Sequence, residues 1–226
     1  MTVHSRHVDR PVRRHDLAFV SPERWHAVIA ARGELALDPL VAPWVEKGRP
    51  LISRRAMPGE TDGVPLGLPL PPATGKRRLS FLMQPDDIIA VAPPPSLISV
   101  SRVAPRGWLP TLNALDKLAR RYSLEVRVLG SLGWSALTGL DYQTERSDLD
   151  LLLHVHGNTD LRRLAADLAR FEAKAPMRLD GEFIRYDGAA VNWREFHAGA
   201  REVLVKTASG TALLDPSIFI HGEMLS

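Results

Sequence analysis

The sequence predicts an α+β protein built from two domains. Short β-like runs alternate with segments of helical periodicity along its 226 residues, and 45% of the residues are hydrophobic, which is enough for one large core or two small ones. The segment Pro93-Pro94-Pro95 cannot continue a helix, so it marks a linker. We therefore expect a small α+β N-terminal domain over residues 1–90, and a mixed sheet flanked by helices over residues 91–226.

Two helices and three strands are expected in the N-terminal half. Ser21-Pro22 places an N-cap residue before a proline at the first helical position, which predicts a helix. Asp38-Pro39 repeats this arrangement ahead of apolar residues at helical spacing, so a second helix is expected at about residues 39–45. Runs separated by Gly- and Pro-rich turns predict strands at 51–54, 64–70 and 76–83.

The C-terminal half predicts a longer alternation of helices and strands. An amphipathic helix over 110–122 leads into a strand at 124–129, which stops at Gly130-Ser131. A short helix holding Trp134 then precedes an apolar strand at 148–155. Thr159 is expected to cap the next helix, and further strands are predicted at 177–185 and 202–206.

The beginning of the apolar strand carries the strongest functional signal. Asp148 and Asp150 are one residue apart, so in a strand their carboxylates point the same way. Two carboxylates held together on a rigid element can bind the Mg²⁺ ions that neutralise a triphosphate and its leaving diphosphate. A bare Asp-x-Asp is usually an ordinary strand end, but uncompensated acids beside so apolar a strand would be costly.

The turn at Gly130-Ser131 supports the same interpretation because of where it lies. Gly-Ser is a common loop dipeptide, yet here it ends one strand and begins a helix, where N–H groups and a hydroxyl can hold phosphate oxygens. The order of helix, strand, Gly-Ser turn, helix and acidic strand matches the nucleotidyltransferase fold. Gly130, Ser131 and the acidic pair thus predict a nucleotidyl-transfer site.

A third carboxylate is expected from a neighbouring strand. Asp180 is the first choice, as a ligand of the metal that activates the nucleophile or as the general base itself. Glu182 would share its strand face and is the other candidate for this role. The alternative without a functional role is that both acids lie on a solvated edge strand.

Three further polar residues are weaker candidates. Lys206 could reach a phosphate, although an exposed lysine at a strand end is an equally good account. His154 and His156 would share the face of the acids if the strand continued unbroken, which suggests zinc. A His-x-His pair without further ligands nearby is more often a feature of a strand end.

Composition narrows the class of protein. The net charge is +3, with 29 basic residues interleaved among 26 acidic ones, which suits an enzyme with an anionic substrate at least as well as a nucleic-acid binder. The absence of cysteine fits a reducing cytosol. No segment approaches the roughly 20 apolar residues of a membrane span, and the basic N-terminus lacks the apolar segment of a signal peptide. We expect a soluble, cytoplasmic protein without a membrane partner.

The central motifs resemble those of one family. Residues 130–140, followed by 147–152, look like the signature of the malonate decarboxylase holo-acyl carrier protein synthases, also called phosphoribosyl-dephospho-CoA transferases, of the nucleotidyltransferase superfamily. The extra loop at 138–146 favours this family over a generic nucleotidyltransferase. Further similarities cover most of the chain, at 14–17, 64–70, 180–181 and 188–191.

The resemblance implies a specific reaction. Such enzymes transfer the 2′-(5″-phosphoribosyl)-3′-dephospho-CoA group from its triphosphate precursor, triphosphoribosyl-dephospho-CoA, to a serine of the malonate decarboxylase acyl carrier subunit, and diphosphate leaves. On this chain it implies that Asp148 and Asp150 bind Mg²⁺, that Gly130 and Ser131 hold the β- and γ-phosphates, and that Asp180 helps to deprotonate the serine.

Two other functions remain open from the sequence. The same fold could transfer a nucleotide to a small molecule or to another protein, which the acidic pair cannot distinguish. A non-catalytic nucleic-acid-binding module is suggested by the arginines, but an aromatic content of only 6% argues against it, so no nucleic-acid partner is expected. Arg54 and Arg55 suggest that the N-terminal domain docks the carrier or substrate.

Overall fold

The computed structural model describes residues 11–75, 77–207 and 210–221. The chain divides into two compact units, Met1–Pro94 and Pro95–Ser226. The boundary along the chain falls after Pro94 rather than after residue 90, the predicted boundary, because the last strand of the first unit continues through Ala92. Each unit contains its own sheet and helices, so the α+β class expected from the sequence is confirmed.

The first unit is a five-stranded antiparallel sheet with helices. Its strands lie in the order β4-β3-β2-β1-β5, and Trp25, Trp44, Leu66 and Phe81 are buried in its core. Ser21 caps the first helix as expected, because its hydroxyl accepts a hydrogen bond from the Arg24 N–H. The elements are β1 (Leu17–Val20), α1 (Pro22–Ala30), α2 (Gly33–Ala36), β2 (Leu51–Ser53), β3 (Val64–Pro69), β4 (Arg78–Met83) and β5 (Ile88–Ala92).

The predicted second helix of this unit is wrong. Residues 39–48 form successive turns, in which Asp38 Oδ1 accepts the N–H groups of Leu40 and Val41. Pro43 lies inside the predicted helix and has no N–H to donate, so a regular helix would be interrupted there. The apolar spacing instead reflects burial of Val41 and Trp44 beneath the turns.

The second unit is a six-stranded mixed sheet with helices on one face. Its order is β11-β10-β9-β8-β7-β6, in which only the β7–β8 pair is parallel. Parallel neighbours require a crossover, and α6 provides it. The elements are α3 (Leu97–Val100), α4 (Leu109–Tyr122), β6 (Glu125–Val128), α5 (Gly130–Thr138), β7 (Leu149–His154), α6 (Leu161–Glu172), β8 (Leu179–Ile184), β9 (Ala190–Asn192), α7 (Trp193–His197), β10 (Val203–Lys206), β11 (Thr211–Leu214) and α8 (Pro216–His221).

Alternation along the strands separates a core face from a polar face. Leu151, Leu153 and Phe183 belong to the large core that also takes in apolar residues of α4 and α6. The intervening positions carry Asp150 and Asp180 on the opposite face. The strands therefore bury one row of side chains and present the chemically reactive row on the other side of the sheet.

Helix α6 begins one residue later than its predicted cap implies. Asp160 is the N-cap, since its Oδ1 accepts the Arg163 N–H at 3.0 Å. Thr159 instead accepts the His156 N–H at 3.1 Å and closes the turn before the helix. Either side chain could cap a helix, so the sequence alone did not decide between adjacent candidates. No helix among the described residues is long and apolar enough to cross a membrane.

Candidate active site

Three acidic residues lie where β7 and β8 begin. Asp150 and Asp180 are direct register partners in this parallel pair, and both are half-buried. Neighbouring strands run about 4.8 Å apart, so the two carboxylates stand side by side on one face. Asp148 precedes β7 and is also half-buried. The sheet register therefore brings Asp180, from a distant part of the chain, beside the acidic pair.

Gly130 makes room for the Asp150 carboxylate. It begins α5 with φ +58°, a left-handed conformation that favours glycine. A Cβ atom at this position would lie 1.6 Å from Asp150 Oδ2. The preceding N–H, that of Leu129, donates to the Asp150 carbonyl at 3.0 Å, which fixes the turn against β7. The glycine is thus required by both backbone conformation and space.

The start of α5 offers hydrogen-bond donors beside the acids. Its N-cap residue, Leu129, has no side-chain oxygen to accept the N–H groups of the first turn. The Ser131 hydroxyl oxygen is buried and has no hydrogen-bond partner among the described residues. A helix N-terminus favours anions, and an unsatisfied buried hydroxyl gains from a polar ligand. This turn therefore has the donors that phosphate oxygens require, and phosphate binding by Gly130 and Ser131 stays a prediction.

The loop between α5 and β7 is anchored at two points. Tyr142 is buried, its N–H donates to Ser135 Oγ at 3.2 Å, and its ring lies 6.0 Å from that of Trp134. A turn closed by the Thr144 N–H and Ser147 Oγ, at 2.9 Å, immediately precedes the first acid. Asp148 thus follows an ordered turn.

Asp180 is oriented by residues that the sequence analysis did not identify. Its Oδ1 accepts the Gly181 N–H at 3.0 Å and the Asn192 side-chain amide at 3.1 Å. Asn192 ends β9 and caps α7 by accepting the Arg194 N–H at 2.9 Å. An Asn just before a short helix is a recognisable N-cap, but only the β8–β9 pairing reveals that its amide reaches Asp180.

An ion pair lies next to these carboxylates. Arg194 NH1 donates to Glu172 Oε2 at 2.7 Å, and its NH2 donates to the other carboxylate oxygen. The hydrogen bond from Arg194 lowers the pKa of Glu172. Glu172 in turn raises the pKa of Arg194, with further contributions from the charges of Asp180 and Asp148. The guanidinium therefore acts electrostatically on two of the three candidate ligands.

The other two candidates on this sheet face pair with each other. Lys206 Nζ donates to Glu182 Oε1 at 2.6 Å, and Glu182 lies level with Leu152 rather than with an acid. The charge of Lys206 is therefore already neutralised by Glu182. Glu182 also lies two residues further along β8 than Asp180, away from the end where the acids meet. Register thus favours Asp180 as the partner of Asp150.

Without a bound substrate, the aspartates of this site supply only part of the coordination shell of a magnesium ion. Among the described residues, no group of three or more His, Cys, Asp or Glu side chains could hold a metal ion. Two adjacent carboxylates with a phosphate cradle beside them nevertheless suit Mg²⁺, which usually takes one or two carboxylates and completes its shell with water and substrate phosphates. The residues present therefore fit a metal shared with a bound triphosphate.

The histidines lie away from the end of the strands that carries the acids, and the N-terminal arginines belong to the first unit. His154 is the last residue of β7 and shares the strand face of Asp150, four positions away. The strand stops there, so His156 is not aligned with the acids, and its Nε2 contacts the Ser123 carbonyl at 3.1 Å. In the first unit, Arg54 forms a forked ion pair with Glu60, at 2.7 and 2.6 Å. Arg54 therefore already has an internal partner, and carrier docking by this unit stays a prediction.

Comparison with known families assigns both units. Residues 13–94 match the family model described as phosphoribosyl-dephospho-CoA transferase MdcG N-terminal domain, and residues 96–217 match its C-terminal domain. The chain belongs to the phosphoribosyl-dephospho-CoA transferase family. The protein is accordingly an enzyme, a transferase, and the resemblance of the motifs at 130–140 and 147–152 to this family is confirmed.

Individual relatives support the family over the full length. A phosphoribosyl-dephospho-CoA transferase of Bradyrhizobium diazoefficiens is 54% identical over 222 residues, 98% of each chain. Relatives of the same name from Xanthomonas euvesicatoria and Xanthomonas campestris are 37% and 38% identical, over 89% and 84% of this chain and 93% and 92% of their own. No solved structure matches the chain.

Proposed function

We propose that this transferase moves the 2′-(5″-phosphoribosyl)-3′-dephospho-CoA group from its triphosphate precursor to a serine hydroxyl of the malonate decarboxylase acyl carrier subunit, in the cytoplasm. One observation carries the proposal: Asp150 and Asp180 stand level on parallel strands, directly beside the glycine turn that begins α5. Family membership supports the transferred group, and the resemblance of the central motifs supports the carrier subunit as acceptor.

The chain offers groups for the leaving phosphates of the donor and for the attacking serine of the carrier. The first N–H groups of α5 and the Ser131 hydroxyl would bind the phosphate oxygens that leave as diphosphate. Asp180 would accept the proton of the carrier serine, whose oxygen attacks the α-phosphorus in line. A phosphodiester bond forms to the serine oxygen, and the bond from the α-phosphorus to the bridging oxygen breaks. Diphosphate leaves with that electron pair.

Magnesium is the cofactor we propose for this site. Asp148 and Asp150 would hold it together with donor phosphate oxygens, and Asp180 is the candidate for a third ligand if it does not act as the base. When bound, it would neutralise the charge that develops on the phosphate oxygens in the transition state. The carboxylates also repel one another in the absence of a cation, so a bound cation relieves this repulsion.

The deciding experiment is the intact mass of purified apo carrier subunit after incubation with the enzyme, Mg²⁺ and triphosphoribosyl-dephospho-CoA. We expect a mass increase equal to the prosthetic group, and a rate at least about 100-fold lower with Asp148→Asn, because one metal carboxylate is lost. Circular dichroism of the variant checks that it is folded. A folded Asp148→Asn enzyme with near-normal transfer contradicts the metal assignment, whereas no increase with verified donor and carrier points to a different acceptor.

The same assay separates the two candidates for the third carboxylate. Asp180→Asn should reduce the rate about as much as Asp148→Asn, because Asp180 adjoins Asp150. Glu182→Gln removes a partner of Lys206 but no proposed ligand, so the rate should fall far less. The opposite ranking would assign the role to Glu182.

A further inference from the structure

The backbone of Leu179 is held by side chains on both of its polar groups. Its N–H donates to Glu172 Oε1 at 2.8 Å. Its carbonyl accepts from Arg194 NH2 at 2.9 Å and from Trp193 Nε1 at 3.2 Å. Leu179 begins β8 and immediately precedes Asp180. The residues that hold the peptide groups of Leu179 therefore also fix the position of the Asp180 backbone.

The two charged members of this arrangement stabilise each other. Arg194 and Glu172 form a two-bond pair whose side chains are 32% and 22% exposed. Forked pairs of arginine and carboxylate fix geometry as well as charge. The Arg194 guanidinium also lies over the Trp193 ring, 4.6 Å from its centroid. Glu172 ends α6, while Arg194 belongs to α7, so the pair joins three elements at the start of β8.

Two effects of Arg194 on a cation at the acids oppose each other. Its positive charge would repel a cation, whereas its bonds place Asp180 beside Asp150. Glu172 neutralises the guanidinium through both of its oxygens, so the net charge of the pair is about zero and the repulsion is small. Placement of the carboxylate is therefore the larger effect.

We propose that Arg194, held by Glu172, is a positioning residue for the metal-binding carboxylates. It acts through the Leu179 peptide and does not touch substrate. The proposal rests on the proposed function, because it concerns the same site, and it adds a residue pair outside the predicted motifs. Removing supporting partners of metal ligands typically weakens metal affinity by about 10- to 100-fold.

The chain offers a matched control at the other end of β8. Arg185 directly follows β8, forms a two-bond pair with Asp187, and donates to the carbonyls of Ile218 and Phe219. It thus resembles Arg194 in bonding but lies at the opposite end of β8 from Asp180. Arg185→Lys should lose a comparable forked pair without disturbing the acids.

The test is Mn²⁺ binding to the full-length protein, followed by electron paramagnetic resonance, with Asp150→Asn to locate the ion. Lysine keeps the charge of Arg194 but cannot form the fork and reach Leu179 together. We expect Arg194→Lys to weaken Mn²⁺ binding by about tenfold or more, and Arg185→Lys to leave it unchanged. If Asp150→Asn abolishes binding but Arg194→Lys leaves it at the wild-type value, the positioning role is wrong and the proposed metal site stands.

Hydrogen exchange of the Leu179 amide tests the positioning contact if the Mn²⁺ experiment does not locate an ion at the acids. If Mn²⁺ binds wild type and Asp150→Asn equally, the metal part of the proposed function fails. In that case faster exchange at Leu179 in Arg194→Lys than in Arg185→Lys supports the positioning contact alone, because this amide depends on Glu172. Equal exchange rates in the two variants overturn the inference.

Discussion

At the scale of single residues, Gly130 and Asp150 constrain each other. No side chain fits at Gly130 while the Asp150 carboxylate keeps its place, since a Cβ would lie 1.6 Å from Oδ2 and 2.4 Å from Cγ. The only relief is rotation of the aspartate or displacement of the turn. The glycine is therefore required by an acid twenty positions later in the chain, which a local reading of the Gly-Ser turn does not reveal.

Gly130→Ala should consequently remove activity without unfolding the protein. We expect transfer to fall about 100-fold or more, because Asp150 must rotate away from the metal position, with a stability loss of about 1 to 2 kcal/mol for alanine at a positive φ. Gly139→Ala is the matched control at the other end of α5: its φ is +69°, but nothing lies within 4 Å of its Cβ. It should show similar strain with normal activity, measured by the carrier mass assay and thermal unfolding. Normal activity in Gly130→Ala would mean that the observed Asp150 position is not needed.

At the scale of elements, local patterns predicted what local forces decide. The spacing of apolar residues was sufficient to predict α4, and the apolar run was sufficient to predict β7. The predicted strands 51–54, 64–70 and 177–185 overlap β2, β3 and β8. The sequence analysis did not identify β1, β5, β9 or β11 as strands; each has three to five residues and depends on pairing with distant neighbours. Asp148 and Asp150 were visible from their spacing, whereas Glu172 and Arg194 were not, because their meeting depends on how α6 and α7 pack.

The joint between α6, β8 and α7 should make stability depend on acidity. Arg194 lowers the pKa of Glu172 below its ordinary value of 4.5. The contribution of this ion pair to the free energy of unfolding is therefore fully present above about pH 4.5, and it is lost as the pH falls through the lower pKa that Glu172 has in the folded state. Glu172→Gln should lower the free energy of unfolding at pH 7, and the difference from wild type should shrink at about pH 3. Urea unfolding at both pH values measures this, and a difference that stays constant with pH would contradict it.

At the scale of the whole molecule, all proposed ligands belong to one unit. The acids, the α5 turn and the Arg194 pair lie within Pro95–Ser226, and the large core of that unit draws only on its own residues. Each family model likewise covers one of the two units. We therefore expect the second unit to fold by itself and to carry the proposed cation site.

A fragment of residues 95–226 should fold cooperatively and bind Mn²⁺ with nearly the affinity of the full chain. The reason is that neither its core nor its carboxylates come from the first unit. Thermal unfolding by circular dichroism and Mn²⁺ titration test this, with Asp150→Asn in the fragment as the control. A fragment that remains unfolded, or a folded one with much weaker binding, would show that the first unit contributes to the site.

The parallel pairing of β7 with β8 also has a consequence for the order in which the protein is made. Asp150 is synthesised twenty positions after the glycine that lies beside it, but its partner carboxylate comes thirty positions later, after the whole of α6. Loop closure across such a crossover must precede any shared coordination. A growing chain thus lacks the Asp150–Asp180 pair until β8 has joined the sheet. We therefore expect a cation shared by these two carboxylates to stabilise the formed sheet rather than to guide the earlier steps of folding.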